Sequence, residues 1–203
     1  MRKLLLAAFA AIAVTMLALP QVAVAGGGPR DHLGFFLRMT AGGLYASTSA
    51  DDWEFADILG EVEANGWGGD FTLALGGCVS ENFALHGSLF SQTVTDPDVE
   101  IENLGEGELD GSVTMNAYGG GITYYLMPVN VYLSGNLGLG FVTIDAEGEE
   151  HTTDPGFAMD LSIGKEWWVG NSWGLGLAGA FGFHSIEDFS GWNVGVRFSA
   201  TFN

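Results

Sequence analysis

The chain has 203 residues, with six Lys or Arg against 25 Asp or Glu and a formal net charge of −19. This excess of negative charge disfavours a nucleic-acid partner, because phosphate binding needs a basic surface. A single cysteine, Cys78, excludes an internal disulfide. The length suits one domain.

The first 25 residues predict export. Arg2 and Lys3 precede an apolar run from Leu4 to Leu19, and Ala23-Val24-Ala25 supplies small residues at a cleavage site. This three-part pattern is typical of a secretory signal peptide, and the run is shorter than the roughly 20 residues of a spanning helix. We therefore expect residues 1–25 to be a signal peptide and residues 26–203 to form one domain.

Apolar side chains alternate with small or polar ones along the remaining chain, and this period of two is typical of strands. In the last segment, for example, Val194, Val196 and Phe198 alternate with Gly195 and Arg197. The pattern is blurred in the fourth segment by Gly119-Gly120-Gly121. The predicted strands cover residues 34–47, 67–78, 83–95, 113–126, 131–141, 157–164, 173–184 and 192–202.

The predicted connections alternate in length. Residues 79–82, 127–130 and 170–172 are short and rich in turn formers. The other connections, at 48–66, 96–112, 146–155 and 187–190, are polar and mostly longer. Short periplasmic turns and longer extracellular loops describe a bacterial outer-membrane barrel.

The face of the sheet that carries the bulky apolar side chains distinguishes a membrane barrel from a water-soluble one. The opposite set is small or polar and suits the cramped interior of a small barrel, so we expect the bulky set to face lipid. Lys165 shares the lipid-facing parity, and either extends to the periplasmic interface beside Trp167 or lies at a bulge. Aromatic residues near the strand ends fit two membrane girdles: Trp67, Phe83, Trp167, Trp173, Trp192 and Phe202.

The chain resembles the small outer-membrane β-barrel superfamily that includes OmpA-type and OmpX-type barrels. The resemblance rests on the signal peptide, Gly-Phe-Phe-Leu-Arg at 34–38, Gly-Ile-Thr-Tyr-Tyr-Leu-Met-Pro at 121–128, Gly-Lys-Glu-Trp-Trp-Val at 164–169 and the alternating residues 194–202. It implies an all-β, eight-stranded antiparallel up-and-down transmembrane barrel in a Gram-negative outer membrane. Contact with lipid and lipopolysaccharide and a monomeric state are expected with it.

Six ionisable side chains fall on the inward parity, and buried charges must be paired or remain wet. They would form either a structural polar network or a narrow pathway for small cations, and we favour the network because an eight-stranded interior is nearly filled by side chains. The six are Arg38, Asp70, His86, Asp160, Glu166 and Arg197.

Together with Asp145 at the border of the third, the predicted extracellular loops hold 20 of the 25 acidic residues. Asp96, Asp98, Glu100 and Glu102 repeat at every second position, so an extended loop would place four carboxylates on one side. They are candidate ligands for Ca²⁺ or Mg²⁺, which would bridge the protein to lipopolysaccharide phosphates. A simply solvated acidic loop is the alternative.

The histidines give no catalytic set. His184 and Ser185 are adjacent, so their side chains would point to opposite faces of a strand, out of reach of each other. We therefore expect neither an enzyme nor a cofactor. The sequence favours a structural protein that shapes the envelope surface; the alternatives are a narrow porin and a surface adhesin that binds cations or another ligand.

Overall fold

The computed structural model describes residues 31–50, 62–101, 105–108, 110–146 and 149–203. The predicted signal peptide lies outside these residues, as does Glu102. Among the described residues, no helix is long and apolar enough to cross a membrane. The strands are β1 (Gly34–Ala50), β2 (Val62–Ser80), β3 (Phe83–Thr95), β4 (Asp98–Ile101), β5 (Gly105–Glu108), β6 (Gly111–Leu126), β7 (Val131–Ala146), β8 (Glu149–Thr152), β9 (Gly156–Trp168), β10 (Trp173–Ile186) and β11 (Phe189–Phe202).

Eight of these strands close into a barrel. β1 pairs with β2 on one side and with β11 on the other, so the sheet has no open edge between its first and last strands. The order around the wall is β1, β11, β10, β9, β7, β6, β3, β2, and all pairs are antiparallel. The predicted eight-stranded antiparallel barrel is confirmed.

Three short strands lie in segments that the sequence predicts to be loops. β4 pairs with the start of β2 and with β5, and β8 pairs with the end of β7. β1 and β2 also continue beyond the predicted ends, pairing as far as Ala50 and Val62. The prediction of residues 96–112 and 146–155 as loops is therefore wrong in part. Six of their acidic residues lie in these short strands, which extend the sheet beyond the barrel wall: Asp98, Glu100, Glu106, Glu108, Glu149 and Glu150.

The two faces of the wall have the predicted character. Leu133, Leu137 and Phe198 are 49%, 55% and 74% exposed, whereas Arg38 and Arg197 are buried inside. A soluble barrel would reverse this arrangement. The exposed apolar surface is the one that lipid covers in membrane barrels.

Aromatic side chains border this apolar surface at two levels. Near the turns, Trp173 packs edge-on against Phe202, which also contacts Phe35. Near the loops, Tyr45 contacts both Trp67 and Trp192. Along β1, ten residues separate Phe35 from Tyr45, and a rise of about 3.3 Å per residue at a tilt of about 40° gives roughly 25 Å between the levels. This is the usual height of the apolar band of an outer-membrane barrel.

Lys165 occupies the outward parity without any bulge. It pairs with Leu177 on β10 within a continuous register, and with Val131 on β7 as the terminal pair of that ladder. The bulge alternative is therefore wrong. The Lys165 ammonium lies 5.9 Å from the centroid of the Trp167 ring, but the residue is only 1% exposed, so the side chain is covered by its neighbours and does not extend into the interface.

Candidate functional site in the barrel lumen

The interior of the barrel is bridged from wall to wall by polar side chains. In a ring of eight strands each strand faces the fourth one along, so β1 lies opposite β7, β11 opposite β6, β10 opposite β3 and β9 opposite β2. Each of these four pairs is connected across the lumen by side chains. We call these connections the braces.

The central brace is built on Arg197 of β11. Its Nε lies 2.5 Å from Oδ2 of Asp70 on β2, and its Nη2 lies 2.7 Å from Oδ2 of Asp160 on β9. The Asn136 amide donates to the other Asp160 oxygen at 3.1 Å. One guanidinium thus joins carboxylates from opposite walls, a geometry that suits its planar fork of donors.

A second brace runs from Arg38 on β1 to β7. Nη2 of Arg38 donates to Oγ of Ser134 at 2.5 Å, and Oγ1 of Thr123 donates to the same oxygen at 3.0 Å. Thr123 in turn lies 3.0 Å from Nε2 of His86. The Arg38 guanidinium carbon lies 4.5 Å from the centroid of the Tyr132 ring, so a cation–π contact adds to the hydrogen bond.

The brace nearest the turns centres on Glu166. Thr201 on β11 donates its hydroxyl proton to Oε1 of Glu166 at 2.7 Å. The hydroxyl of Tyr125, on the opposite strand β6, lies 3.3 Å from Oγ1 of Thr201 and 3.4 Å from Oε2 of Glu166. These contacts provide hydrogen-bond donors for a carboxylate that is only 1% exposed.

The brace nearest the loops contains no formal charge when its histidine is neutral. Asn193 on β11 donates to Oε1 of Gln92 on β3. Nε2 of Gln92 lies 3.4 Å from Nδ1 of His184 on the opposite strand β10. Thr201, Arg197 and Asn193 are spaced four residues apart on β11, so this one strand carries a brace at three successive heights.

The Gly119-Gly120-Gly121 run makes space for this network. A Cβ atom on Gly121 would come within 2.5 Å of Oδ1 of Asn136 and within 2.7 Å of Cε1 of His86. It would lie closer still to the backbone oxygen of Gly135, so this position requires glycine even if the two side chains move. The feature that obscures the alternation in the sequence thus has a packing cause.

His32 is a lumen residue that the sequence did not reveal, because it precedes the first alternating segment. It is fully buried and stacks on Tyr125 with ring centroids 3.5 Å apart. Its Nε2 lies 2.8 Å from Oδ1 of Asn130, its Nδ1 lies 2.5 Å from Nδ2 of Asn203, and its backbone N–H donates to Oδ1 of Asn82 at 2.9 Å. We call His32 and the three asparagines the His32 cluster; it lies at the turn end of the barrel.

Little free space remains beside the central brace. The cavity lined by Gln92, Asp160, Asn193 and Arg197 has a volume of about 10 Å³, near the minimum for one water molecule. All six ionisable residues predicted to face inwards are buried. The central brace contains Asp70, Asp160 and Arg197, and the second brace contains Arg38, to which His86 is linked through Thr123. Glu166 belongs to the brace nearest the turns.

The structure describes three of the four predicted cation ligands, and it does not bring all three together. Oδ1 of Asp96 accepts a hydrogen bond from the backbone N–H of Gly111 at 3.2 Å and so closes the loop at its base. Asp98 and Glu100 are exposed on one side of β4. Among the residues that the structure describes, no group of three or more His, Cys, Asp or Glu side chains is placed to hold a metal ion.

The His184–Ser185 pair has the predicted orientation. His184 is 1% exposed and faces the lumen, whereas Ser185 is exposed on the other side of β10. The two side chains therefore cannot act as a base and a nucleophile towards one substrate.

No protein-family model matches the chain, and no curated protein matches it. Among solved structures, Neisserial surface protein A is 10% identical with a TM-score of 0.52, over 82% of this chain and 96% of that one. Ail, the attachment invasion locus protein of Yersinia pestis, is 12% identical with a TM-score of 0.49, over 84% and 100%. The outer-membrane protein OprG from Pseudomonas aeruginosa is 13% identical with a TM-score of 0.47, over 85% and 98%.

The likeness to Neisserial surface protein A is one of fold. This chain has the fold of the small outer-membrane β-barrels, with a band of exposed apolar side chains between two aromatic girdles. Only a closed barrel or a helix satisfies its backbone within lipid. The protein is therefore an integral membrane β-barrel of the outer-membrane type.

Proposed function

We propose that this protein is a closed, non-conducting barrel that contributes to envelope structure and acts at the cell surface through its extracellular segments. The observation that carries the proposal is the set of braces, which joins every pair of opposite strands across the lumen. A porin of useful width needs an open path through these levels. Side chains fill that path here, and the cavity beside Arg197 is about the size of one water molecule.

Planar-bilayer recording tests the closed state. The wild-type protein should give no stable steps of conductance, whereas removing two braces with Arg38→Ala and Arg197→Ala should admit water and small ions. Phe198→Ala is the matched control, because Phe198 neighbours Arg197 in sequence but faces lipid. Regular steps from the wild-type protein would favour the narrow porin instead.

A loop replacement tests the surface role. Ala50 and Val62 are directly paired across β1 and β2, so an Asn-Gly hairpin can replace residues 51–61 without disturbing the wall. The shortened barrel should insert normally but fail to restore detergent resistance to cells that lack the protein. Full restoration would show that residues 51–61 are not needed for the surface role.

A second candidate is binding of divalent cations at the extension formed by β2, β4 and β5. Glu100 on β4 pairs in register with Glu63 on β2. Like charges in opposite positions destabilise a sheet, and Ca²⁺ relieves such repulsion by coordinating carboxylate oxygens. Calorimetric titration of the refolded protein with Ca²⁺ should release or absorb heat that Glu100→Gln diminishes. No heat at millimolar Ca²⁺ would exclude this candidate.

A further inference from the structure

The outer wall carries an apolar groove that the closed-barrel proposal does not use. The groove has a volume of about 460 Å³ and crosses the surface where β6, β7 and β9 are neighbours. Ser134 and Ser162 border it, but their buried side chains belong to the lumen face. The outward-facing side of the groove is formed by Ile122, Tyr124, Leu133, Gly135, Leu161 and Ile163.

Gly135 creates the groove. It takes an outward position on β7 between Leu133 and Leu137, and it pairs with Ile122 on β6 and with Leu161 on β9. A Cβ atom at Gly135 would lie 3.3 Å from Cδ2 of Leu161, so even alanine would begin to fill the gap. The missing side chain therefore leaves the backbone of β7 uncovered between the apolar side chains of β6 and β9.

The groove lies in the periplasmic half of the membrane band. Gly135 is four residues beyond Val131, where β7 leaves its short turn. At about 3.3 Å per residue and a tilt of about 40°, it stands roughly 10 Å above that end of a band about 25 Å high. Tyr124 lies nearer the turn, at the level where tyrosine side chains meet the membrane interface.

The groove is continuous with the surface that lipid covers. Ile122, Leu133 and Leu161 are 49%, 49% and 40% exposed, and they join the apolar band on either side. A gap against hydrocarbon forfeits dispersion contacts unless something follows its shape. No charged side chain lines it, so its ligand is a hydrocarbon rather than a polar solute.

We propose that this groove is a binding site for one acyl chain of a phospholipid in the periplasmic leaflet. The chain lies over Gly135 between the Ile122 and Leu161 side chains, and its ester end points towards Tyr124. Roughly ten additional carbon contacts relative to the smooth wall correspond to about a tenfold preference for this site.

Photocrosslinking in vesicles tests the site. The full-length mature barrel is refolded into phosphatidylethanolamine vesicles that contain a small fraction of the same phospholipid with a diazirine on one acyl chain. After irradiation and digestion, label on β6, β7 and β9 around Gly135 should exceed label around Met39 by about tenfold. Met39 is an exposed residue on β1, the strand opposite β7, and lies four residues beyond Phe35, at the same depth in the membrane as Gly135.

Two phenylalanine substitutions at the same depth provide the matched comparison. Gly135→Phe should reduce the groove labelling to that of the rest of the wall, whereas Met39→Phe should leave it unchanged. Heat-dependent gel mobility checks folding, and Ile122→Trp fills the groove from its rim if Gly135→Phe does not fold. Even labelling of the wild-type wall, or strong groove labelling after either filling substitution, would overturn the proposal. So would a wild-type dimer that Gly135→Phe dissociates, because the occupant would then be a second copy of the chain.

Discussion

Removal of the Arg197 guanidinium should destabilise the barrel by about 3–5 kcal/mol, the usual cost of leaving buried charges uncompensated. The side chains of Asp70, Asp160 and Arg197 are only 1%, 4% and 4% exposed. Water therefore cannot replace the lost partner without entering the lumen. Arg197→Met keeps most of the length of the side chain, so the effect reports charge rather than an empty space.

The triple variant separates charge pairing from packing. Asp70→Asn and Asp160→Asn, combined with Arg197→Met, remove all three charges while nearly preserving volume. Replacement of a complete buried ion pair by neutral groups is often neutral or stabilising. We therefore expect the triple variant to recover most of the stability that Arg197→Met loses, and the three sites to be strongly coupled.

Reversible urea unfolding in phospholipid vesicles, followed by tryptophan fluorescence, measures these differences. The slope of the free energy of unfolding against urea should stay constant, so that a shift of midpoint reports stability. Phe198→Met controls for substitution at the adjacent, lipid-facing position. The reasoning would be refuted if Arg197→Met lost no more than about 1 kcal/mol of stability, because that loss is typical of exposed ion pairs. A triple variant as unstable as Arg197→Met would refute it as well.

Three further outcomes are expected. Burial lowers the pKa of His32 below its usual 6.5, so its contribution to stability is present above pH 6.5 and is lost as the pH falls from there through the lowered pKa. Because His86 and His184 are also buried, the urea midpoint should fall between about pH 8 and pH 5 in both proteins, but by less in His32→Gln than in the wild type; an equal fall would contradict the role of His32. Gly121→Val should cost about 1–3 kcal/mol in the same unfolding assay through collision with the backbone oxygen of Gly135 and the side chain of Asn136, and a smaller loss would show that the lumen has room. Phe198→Arg should cost about 2–4 kcal/mol, because Phe198 pairs with Ala41 midway between the girdles and faces lipid; a fully stable variant would contradict that placement.

The sequence predicts the wall of the barrel well because a strand in contact with lipid on one face and a packed lumen on the other must alternate. Val194, Val196 and Phe198 against Arg197 illustrate the pattern. Even Lys165 follows the predicted parity. The ends of strands are predicted less well. β4 carries the alternating sequence Asp98-Val99-Glu100-Ile101, but it becomes a strand only because the start of β2 extends far enough to pair with it.

The composition of the lumen is predictable and its partnerships are not. Inward parity identifies Arg38, Asp70, Asp160 and Arg197, yet the choice of partners depends on which strands face each other and at what height. Those quantities arise from barrel closure and strand stagger. His32 escapes prediction for another reason: a single residue before the first strand has no periodic context. The Asn82 and Asn130 side chains that hold it were recognisable only as turn formers.

The braces also fix the vertical alignment of the strands. Alternation alone forbids a slip of one residue, which would turn every side chain to the wrong face, but it tolerates a slip of two. A slip of two residues moves a strand by about 6.6 Å, farther than a hydrogen bond or ion pair can stretch. Because Thr201, Arg197 and Asn193 of β11 meet partners on other walls, such a slip would break contacts at all three heights together. Several strand alignments would place the apolar side chains equally well against lipid, and the polar contacts in the lumen select one of them.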